Sequence, residues 1–295
     1  MKIAALDIGG TSIKSGICTG GATEEVKEWD TDAAAGGAAV IDRAKEILHG
    51  YEGFEAIGIS TAGQVNSEEG SIRYANENIP GYTGMKIKAI LEAEFAVPVA
   101  VENDVNAAAI GEGHFGAGKA YDDFLCITYG TGVGGAIVIH KKVYTGTAFS
   151  AGEFGGILIH PEALIAGDPF SGCYEKYAST TALVARAKKL DSGLTSGRKI
   201  FERLEEDAVK RVVDPWIDEI VYGLISIIHI FNPACVVLGG GVMAQPYIIE
   251  EVRKKTAVRV MSSFRDVVLK PAALGNQAGL LGAAYLAKKY AETRT

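Results

Sequence analysis

The chain has 295 residues, 22% charged and 48% from the apolar and aromatic set, an ordinary balance for a soluble globular protein of one or two domains. Asp and Glu outnumber Lys and Arg by 36 to 29, and the net charge of -7 argues against sequence-independent binding to nucleic acid, which runs on positive charge. The longest apolar run, around IVYGLISIIHIF, is about 12 residues, too short to span a bilayer. The N-terminal MKIAALDIGG lacks the length and cleavage site of a signal peptide. Cys18, Cys126, Cys173 and Cys235 lie far apart with no CxxC pair, so neither a disulfide framework nor a Cys-rich metal site is expected, and a reducing cytoplasm is. Glycine is the outlier at 37 residues, against a usual share of about 7%. In a chain that is not low-complexity, many of those glycines are expected at specific turns.

The first apolar run, 2–6, ends at Asp7. Gly9, Gly10, Thr11 and Ser12 follow, then a second run through Ile17, which together predict a β-hairpin with a Gly/Thr/Ser tip. Apolar spacing predicts a helix over 38–48, a short strand over 56–60 and a helix within 81–95 closed by Pro98. A strand at 99–101 leads into an Ala-rich helix over 104–112. After Gly116-Ala117-Gly118 the opening plan returns: strand 124–128, glycine turn 129–135, strand 136–140, with a candidate hinge near Gly116–Lys119. We read this as an internal duplication, with one lobe over 1–118 joined by the final helix at about 277–295, and a larger lobe over 119–276. Asp214-Pro215 reads as the start of a helix, N-cap then Pro at N1, running to Phe231 and stopping at Asn232-Pro233. A buried strand at 234–238 ends in Gly239-Gly240-Gly241. Strands alternating with helices in two lobes make an α/β protein with mixed sheets.

Two near-matches to nucleotide motifs fail on context. Gly130–Gly135 fits G-x-G-x-x-G but leads into the β-run AIVIH, where a dinucleotide fingerprint must open a helix. GHFGAGK, 113–119, has Ala120 where a P-loop needs Ser or Thr. What remains is the pair of hairpin tips, Gly9–Ser12 with Lys14 just beyond, and Thr128, Gly130, Thr131 and Gly132. Such turns bring backbone N–H groups and hydroxyls close to phosphate oxygens without a helix dipole. Each alone reads as a tight hairpin turn; two of matching design, with a third glycine run at 239–241, point to a nucleotide cleft. Asp7, beside the first tip, is placed to position Mg²⁺ through water. Asp104 either caps the helix it opens or, at a strand end, acts as a general base, with Asn103 hydrogen-bonding a polyol. Glu153 and Glu175 stand in the glycine-flanked stretches AGEFG and GCYE, where a lone Glu reads as a solvated surface carboxylate. His229 reads as a packed helix residue, the other histidines are too scattered to be ligands, and Tyr222–Phe231 reads as core or dimer seam.

The ordered set DIGGTSIK, ISTAG, NIPGY, VENDVNAAAIGE, TYGTGVGGAI, AGEFG, GCYEKYAS and VVLGGG resembles the ROK family of bacterial sugar kinases and sugar-responsive repressors, over nearly the whole chain. The resemblance implies a two-lobed actin-like ATPase (ribonuclease H-like) fold whose lobes close on ATP and sugar across an interlobe cleft. It implies phosphates at Gly10–Ser12 and Gly130–Gly132, Mg²⁺ near Asp7, and an adenosine pocket touching Gly240 and Gly241. It further implies that Gly63, Asn78, Asn103, Asp104, Glu153 and Glu175 contact the sugar, with Asp104 as the base, in a homodimer. Two departures stand out. Gly156 occupies the place of a His that most members carry, and only Gly172-Cys173 remains of a CxCGxxGC zinc cluster, so no zinc is expected. Zinc-less relatives include β-glucoside kinases and some N-acetylmannosamine kinases, and the room at Gly156 suits a group on C1 or C2. Repressor members carry an N-terminal helix-turn-helix for which this chain has no room, so no DNA partner and no membrane partner are expected. The expected activity is ATP-dependent phosphorylation of a hexose at a primary hydroxyl, O6. A sugar sensor without chemistry would be expected to lack Asp104 or a phosphate turn, and both are present. A filament or chaperone ATPase has no need of the sugar-type carboxylates and amides.

Overall fold

Buried parallel strands are written as continuous apolar runs, and helices that cover them as apolar stripes. The computed structural model describes residues 1–294. Its elements in chain order are β1 (Ile3–Ile8), β2 (Ser12–Thr19), β3 (Ala22–Asp30), α1 (Gly37–His49), β4 (Ala56–Thr61), β5 (Gln64–Asn66), β6 (Ser71–Tyr74), α2 (Ile87–Phe95), β7 (Val99–Asn103), α3 (Asp104–Phe115), β8 (Phe124–Tyr129), β9 (Val133–Ile139), β10 (Lys142–Val143), α4 (Tyr174–Ala178), α5 (Thr180–Leu190), α6 (Gly197–Phe201), α7 (Asp207–Phe231), β11 (Cys235–Gly239), α8 (Pro246–Ala257), β12 (Val268–Pro271) and α9 (Ala278–Glu292). They form two compact units. One holds residues 1–120, 141–151 and the stretch from Asn276 onward; the other holds 121–140 and 152–275.

The first unit is built on a sheet of order β3-β2-β1-β4-β7. β1 and β2 make the expected antiparallel hairpin, and β1, β4 and β7 run parallel. All six residues of β4 are buried, so it carries no polar face to solvent. Ile57 and Ile59 join the core with α1, which buries Val40, Ile41, Ala44, Ile47 and Leu48. The residues between them, Gly58 and Ser60, face α9: a Cβ on Gly58 would strike the Ala283 carbonyl. α3 packs in turn on α9 through glycines on both helices, Gly111 and Gly282, where any side chain would collide with the facing backbone.

The second unit repeats the plan. β9, β8, β11 and β12 lie in that order, with β8 and β9 an antiparallel hairpin and β8, β11 and β12 parallel. α7, 25 residues long, buries Val209, Val213, Trp216, Ile217, Ile220, Leu224 and Ile228 in one stripe.

The helix expected within 81–95 is Ile87–Phe95; the backbone just before it pairs with Ile72, Gly84 N–H donating to the Ile72 carbonyl and Ile72 N–H to Met85. The structure corrects three other expectations. Asp214-Pro215 does not start a helix but sits inside α7. An interior Pro costs about 3 kcal/mol, while each large apolar side chain buried on the stripe returns about 1.5–3 kcal/mol. The stripe runs through the proline, and Asp214 is held by the Tyr247 hydroxyl at 2.6 Å and by Lys255 on its carbonyl. The second glycine turn is only Gly130–Gly132, since Gly134 and Gly135 are strand residues paired with Thr128 and Ile127. His229 is half-buried and bridges rather than fills the core: its Nδ1 meets the Ile225 carbonyl at 2.7 Å, and its Nε2 accepts from Met261 N–H. No helix among the described residues is long and apolar enough to cross a membrane.

Gly282→Ala is expected to lower stability by at least about 2 kcal/mol, since its methyl has only the rigid Ala107 carbonyl to displace. Chemical denaturation of the two proteins checks this, and a loss under about 0.5 kcal/mol would show that α3 and α9 are not packed this closely.

Candidate active site

Parallel strands place their carboxyl ends on one edge, where open α/β sheets bind ligands. In the first unit that edge collects Asp7, Gly63, Asn103 and Asp104. Asp7 pairs in register with Ser60, which donates its hydroxyl to Asp7 Oδ1 at 2.6 Å, and with Lys14 on β2. Lys14 pairs with Glu28 on β3, and Ser60 with Glu102 on β7, so one polar row crosses all five strands. At the hairpin tip the Gly9 N–H donates to the Ser12 carbonyl, and the Thr11 carbonyl accepts from Thr31. Among the described residues, the N–H groups of Gly10 and Thr11 meet no backbone acceptor. The Ser12 hydroxyl rests on the Glu28 carboxylate at 2.6 Å.

The residue that caps α3 is Asn103, not Asp104: its Oδ1 accepts from the N–H groups of Val105 and Asn106 at 3.0 and 3.1 Å. Asp104 is thereby free of the capping role. Its Oδ1 accepts from Val105 N–H at 2.9 Å and from Asn103 Nδ2 at 2.8 Å. The same Asn103 Nδ2 donates to the Gly63 carbonyl at 2.9 Å, joining three of the expected sugar ligands. Burial, and then the charge on Asp7, lift the Asp104 carboxyl to about 6, against the pull of its hydrogen bonds. Burial also raises Asp7, opposed by the Ser60 hydroxyl and Lys14. Asn78 is exposed on the loop after β6, and its backbone N–H is held by Asn76 Oδ1.

The second unit gathers its own set at the matching edge. Gly130 N–H donates to the Gly132 carbonyl, closing the turn, and among the described residues Thr131 N–H has no backbone acceptor. Gly239 pairs with Thr128, and Gly240, at φ +99, packs on Tyr129 so closely that no side chain fits. The turn and Gly241 line a cavity of about 1040 Å³, continued by Thr180, Lys188, Ser196 and Arg198. Sequence reasoning missed these last four, which lie in no motif and reach the cavity from α5 and from the start of α6. Glu175, at the start of α4, points its carboxylate toward Gly132 and Gly155, and the Val133 carbonyl leaves no room for a side chain on Gly155. Glu153 is exposed, just before a 3₁₀ turn at Phe154–Gly156.

Gly156 is exposed with open space where a Cβ would stand. The loop it begins is fastened to its surroundings by protein groups. The Cys173 thiol donates to the Gly156 carbonyl at 3.3 Å, and Ile159 and His160 N–H to the Gly172 carbonyl. His160 lies between Glu162 and Glu219, at 2.6 and 2.7 Å, and Arg186 holds the other oxygen of Glu219 at 3.0 Å.

The ROK family model matches residues 3–290. A β-glucoside kinase of Listeria monocytogenes is 35% identical over 97% of this chain and 97% of its own length. A glucokinase of Streptomyces coelicolor is 33% identical over 96% of both chains. The crystal structure of a ROK family glucokinase from Streptomyces griseus, in complex with glucose and AMPPNP, superposes with a TM-score of 0.86 at 30% identity, covering 98% of this chain and 100% of that one.

A carboxyl raised on folding costs stability once it ionises. The unfolded chain ionises near the ordinary 3.8 and the folded one at about 6, so the cost is absent below the first value and complete above the second. Asp104→Asn is therefore expected to melt at a higher temperature than the parent at pH 8 and at the same temperature near pH 4. Scanning calorimetry at the two pH values checks it.

Proposed function

Because the chain belongs to the ROK family and has its actin-like ATPase fold, we propose that it is an ATP-dependent sugar kinase, transferring the γ-phosphate to O6 of glucose or a β-glucoside. The observation that carries this reading is the Asp104 carboxylate. It sits at the carboxyl edge of the first sheet, held by two hydrogen bonds, and ionises at about 6. It is ionised at neutral pH, yet basic enough to take a proton from an alcohol as that alcohol attacks phosphorus in line. Phosphoryl transfer passes through a loose transition state, so positioning and charge neutralisation supply most of the rest. The open N–H groups of Gly10, Thr11 and Thr131 are suited to oxygens on which charge spreads, with Ser12, Lys14, Thr128, Gly130 and Gly132 beside them. Gly240 and Gly241 are proposed to flank the adenosine.

Mg²⁺ fits at Asp7. It keeps most of its waters and takes its remaining ligands from phosphates, so one carboxylate suffices. Ser60 occupies one Asp7 oxygen and leaves the other for a metal-bound water. When bound, the ion would neutralise phosphate charge. Gly63, Asn78, Glu153 and Glu175 are proposed to hold sugar hydroxyls; Asn103 would join them only by giving up a present bond. The room at Gly156 favours a substituent at C1, as in a β-glucoside. The 2-acetamido group of N-acetylmannosamine is the alternative occupant. The exposed Tyr222 and Ile230 of α7 are the proposed seam of a homodimer, and the cytoplasm its proposed compartment.

ADP release measured across glucose, cellobiose, gentiobiose, N-acetylmannosamine and fructose tests the reading. A glucoside or glucose is expected to rank first; ATP turnover that ignores every sugar would overturn it. Asp104→Asn is expected to lower kcat by at least about 100-fold with the fold intact, and kcat/KM of the parent to fall as pH drops below about 6. Gly156→His is expected to lower kcat/KM for cellobiose by at least about 10-fold more than for glucose, a discrimination of the order that filling or emptying a small pocket supplies.

A further inference from the structure

One buried carboxylate near the site has no part in the chemistry above. Glu102, the residue of β7 before Asn103, is 4% exposed. Its Oε1 accepts from Asn103 N–H at 2.9 Å and from Asn106 Nδ2 at 3.1 Å, and the Ser67 hydroxyl, in the turn after β5, reaches the same carboxylate. A helix N-terminus often ties its cap with a side chain at the third position, which reaches back to the cap's own N–H. Asn106 holds that position in α3 but is bound to Glu102, and Glu102 takes the Asn103 N–H instead.

The consequence runs one bond further. The Asn103 side chain has two donor hydrogens and two acceptor sites, and all are used: Val105 and Asn106 N–H on the oxygen, the Gly63 carbonyl and Asp104 Oδ1 on the nitrogen. Its amide cannot be flipped, since both groups on the oxygen can only donate. Asp104 is thus oriented by an amide whose own backbone is held by Glu102.

We propose that Glu102 is a positioning residue for the phosphoryl transfer, holding Asn103 so that its amide keeps one Asp104 oxygen fixed and the other presented to the attacking hydroxyl. This rests on Asp104 being the base. The other charged groups facing Asp104 are Asp7 on β1 and, beyond it, Lys14 on β2; neither touches Glu102, so changes at Glu102 reach Asp104 through Asn103.

The test compares Glu102→Ala and Glu102→Gln with the parent in kcat, KM for ATP and the acid limb of kcat/KM against pH. Removing the carboxylate is expected to lower kcat at least about 10-fold, leave KM for ATP within about 2-fold, and move the acid limb upward by about half a unit. The direction follows because a hydrogen bond that favours the Asp104 anion is weakened. The Gln variant keeps an acceptor at Oε1, so its acid limb is expected to stay in place and most of the kcat to return. A Glu102→Ala protein that melts earlier but keeps the parent's kcat and acid limb would overturn the proposal. If that protein does not fold, Asn103→Ser, which still caps the helix but lacks the amide, carries the test; an unmoved acid limb there overturns it equally. Asp104→Asn is measured alongside. If it retains parental kcat, the assignment of the base has failed. If it is inactive while Glu102→Ala is normal, only the role of Glu102 has failed.

Discussion

Two like charges are held at one sheet edge: Asp7 at the end of β1 and Asp104 at the start of α3. The burial that raises both would favour two neutral carboxyls, and the chain answers each differently. Asp7 receives a hydroxyl from Ser60 and the field of Lys14, both of which favour its anion. Asp104 receives an N–H and an amide, and still ends near 6 because burial, and after it the Asp7 charge, outweighs them. Burial leaves both carboxyls raised, Asp104 to about 6, while Ser60 and Lys14 pull Asp7 back toward its anion. The parallel order β1-β4-β7 brings them to one edge, so fold and charge pattern are not independent features.

The fold protects this edge by unusual closeness on the far side of the sheet. α9 lies on Gly58 and Ser60, and a side chain on Gly279 would run into the Asp7 carboxylate and the Ser60 hydroxyl. Close helix contact excludes water from one flank of Asp7, which supplies the desolvation, and Ser60 supplies the compensating donor. Small residues in α9 are therefore electrostatic as well as steric choices.

Much of this was legible in the residue order. The two hairpins with glycine tips, the strand before Asn103 and the helix after it are written in strong alternation and turn chemistry, and the structure has them within a few residues. What escaped had competing physics. β3 reads ATEEVKEWD, exposed at most positions; it is an edge strand that shows charges to solvent and is held by pairing with β2 and by Trp29, whose indole donates to Ser15. Pro215 looks like a helix start because capping preferences are local, while the stripe from Val209 to Ile228 is a tertiary demand. Asn103 and Asp104 are both good caps, so residue type left the cap of α3 open, and only backbone geometry assigns it to Asn103. Thr180, Lys188, Ser196 and Arg198 reach their cavity from separate helices, a proximity with no local pattern to announce it.

An acidic chain also raises the question of how it would attract a polyanion. The answer lies in the kind of donor used. Backbone N–H groups at Gly10, Thr11 and Thr131 carry partial positive charge without adding to the formal count, and glycine lets an oxygen approach them to contact distance. The net charge of -7 acts over the whole surface, and salt screens such fields within about 8 Å under physiological conditions. At hydrogen-bond range the local donors outweigh it. Lys188 and Arg198 add two full cations where the second unit's cavity is lined. On the proposed reading, affinity for a small phosphate would come from these local donors rather than from net charge, so the surface can stay acidic.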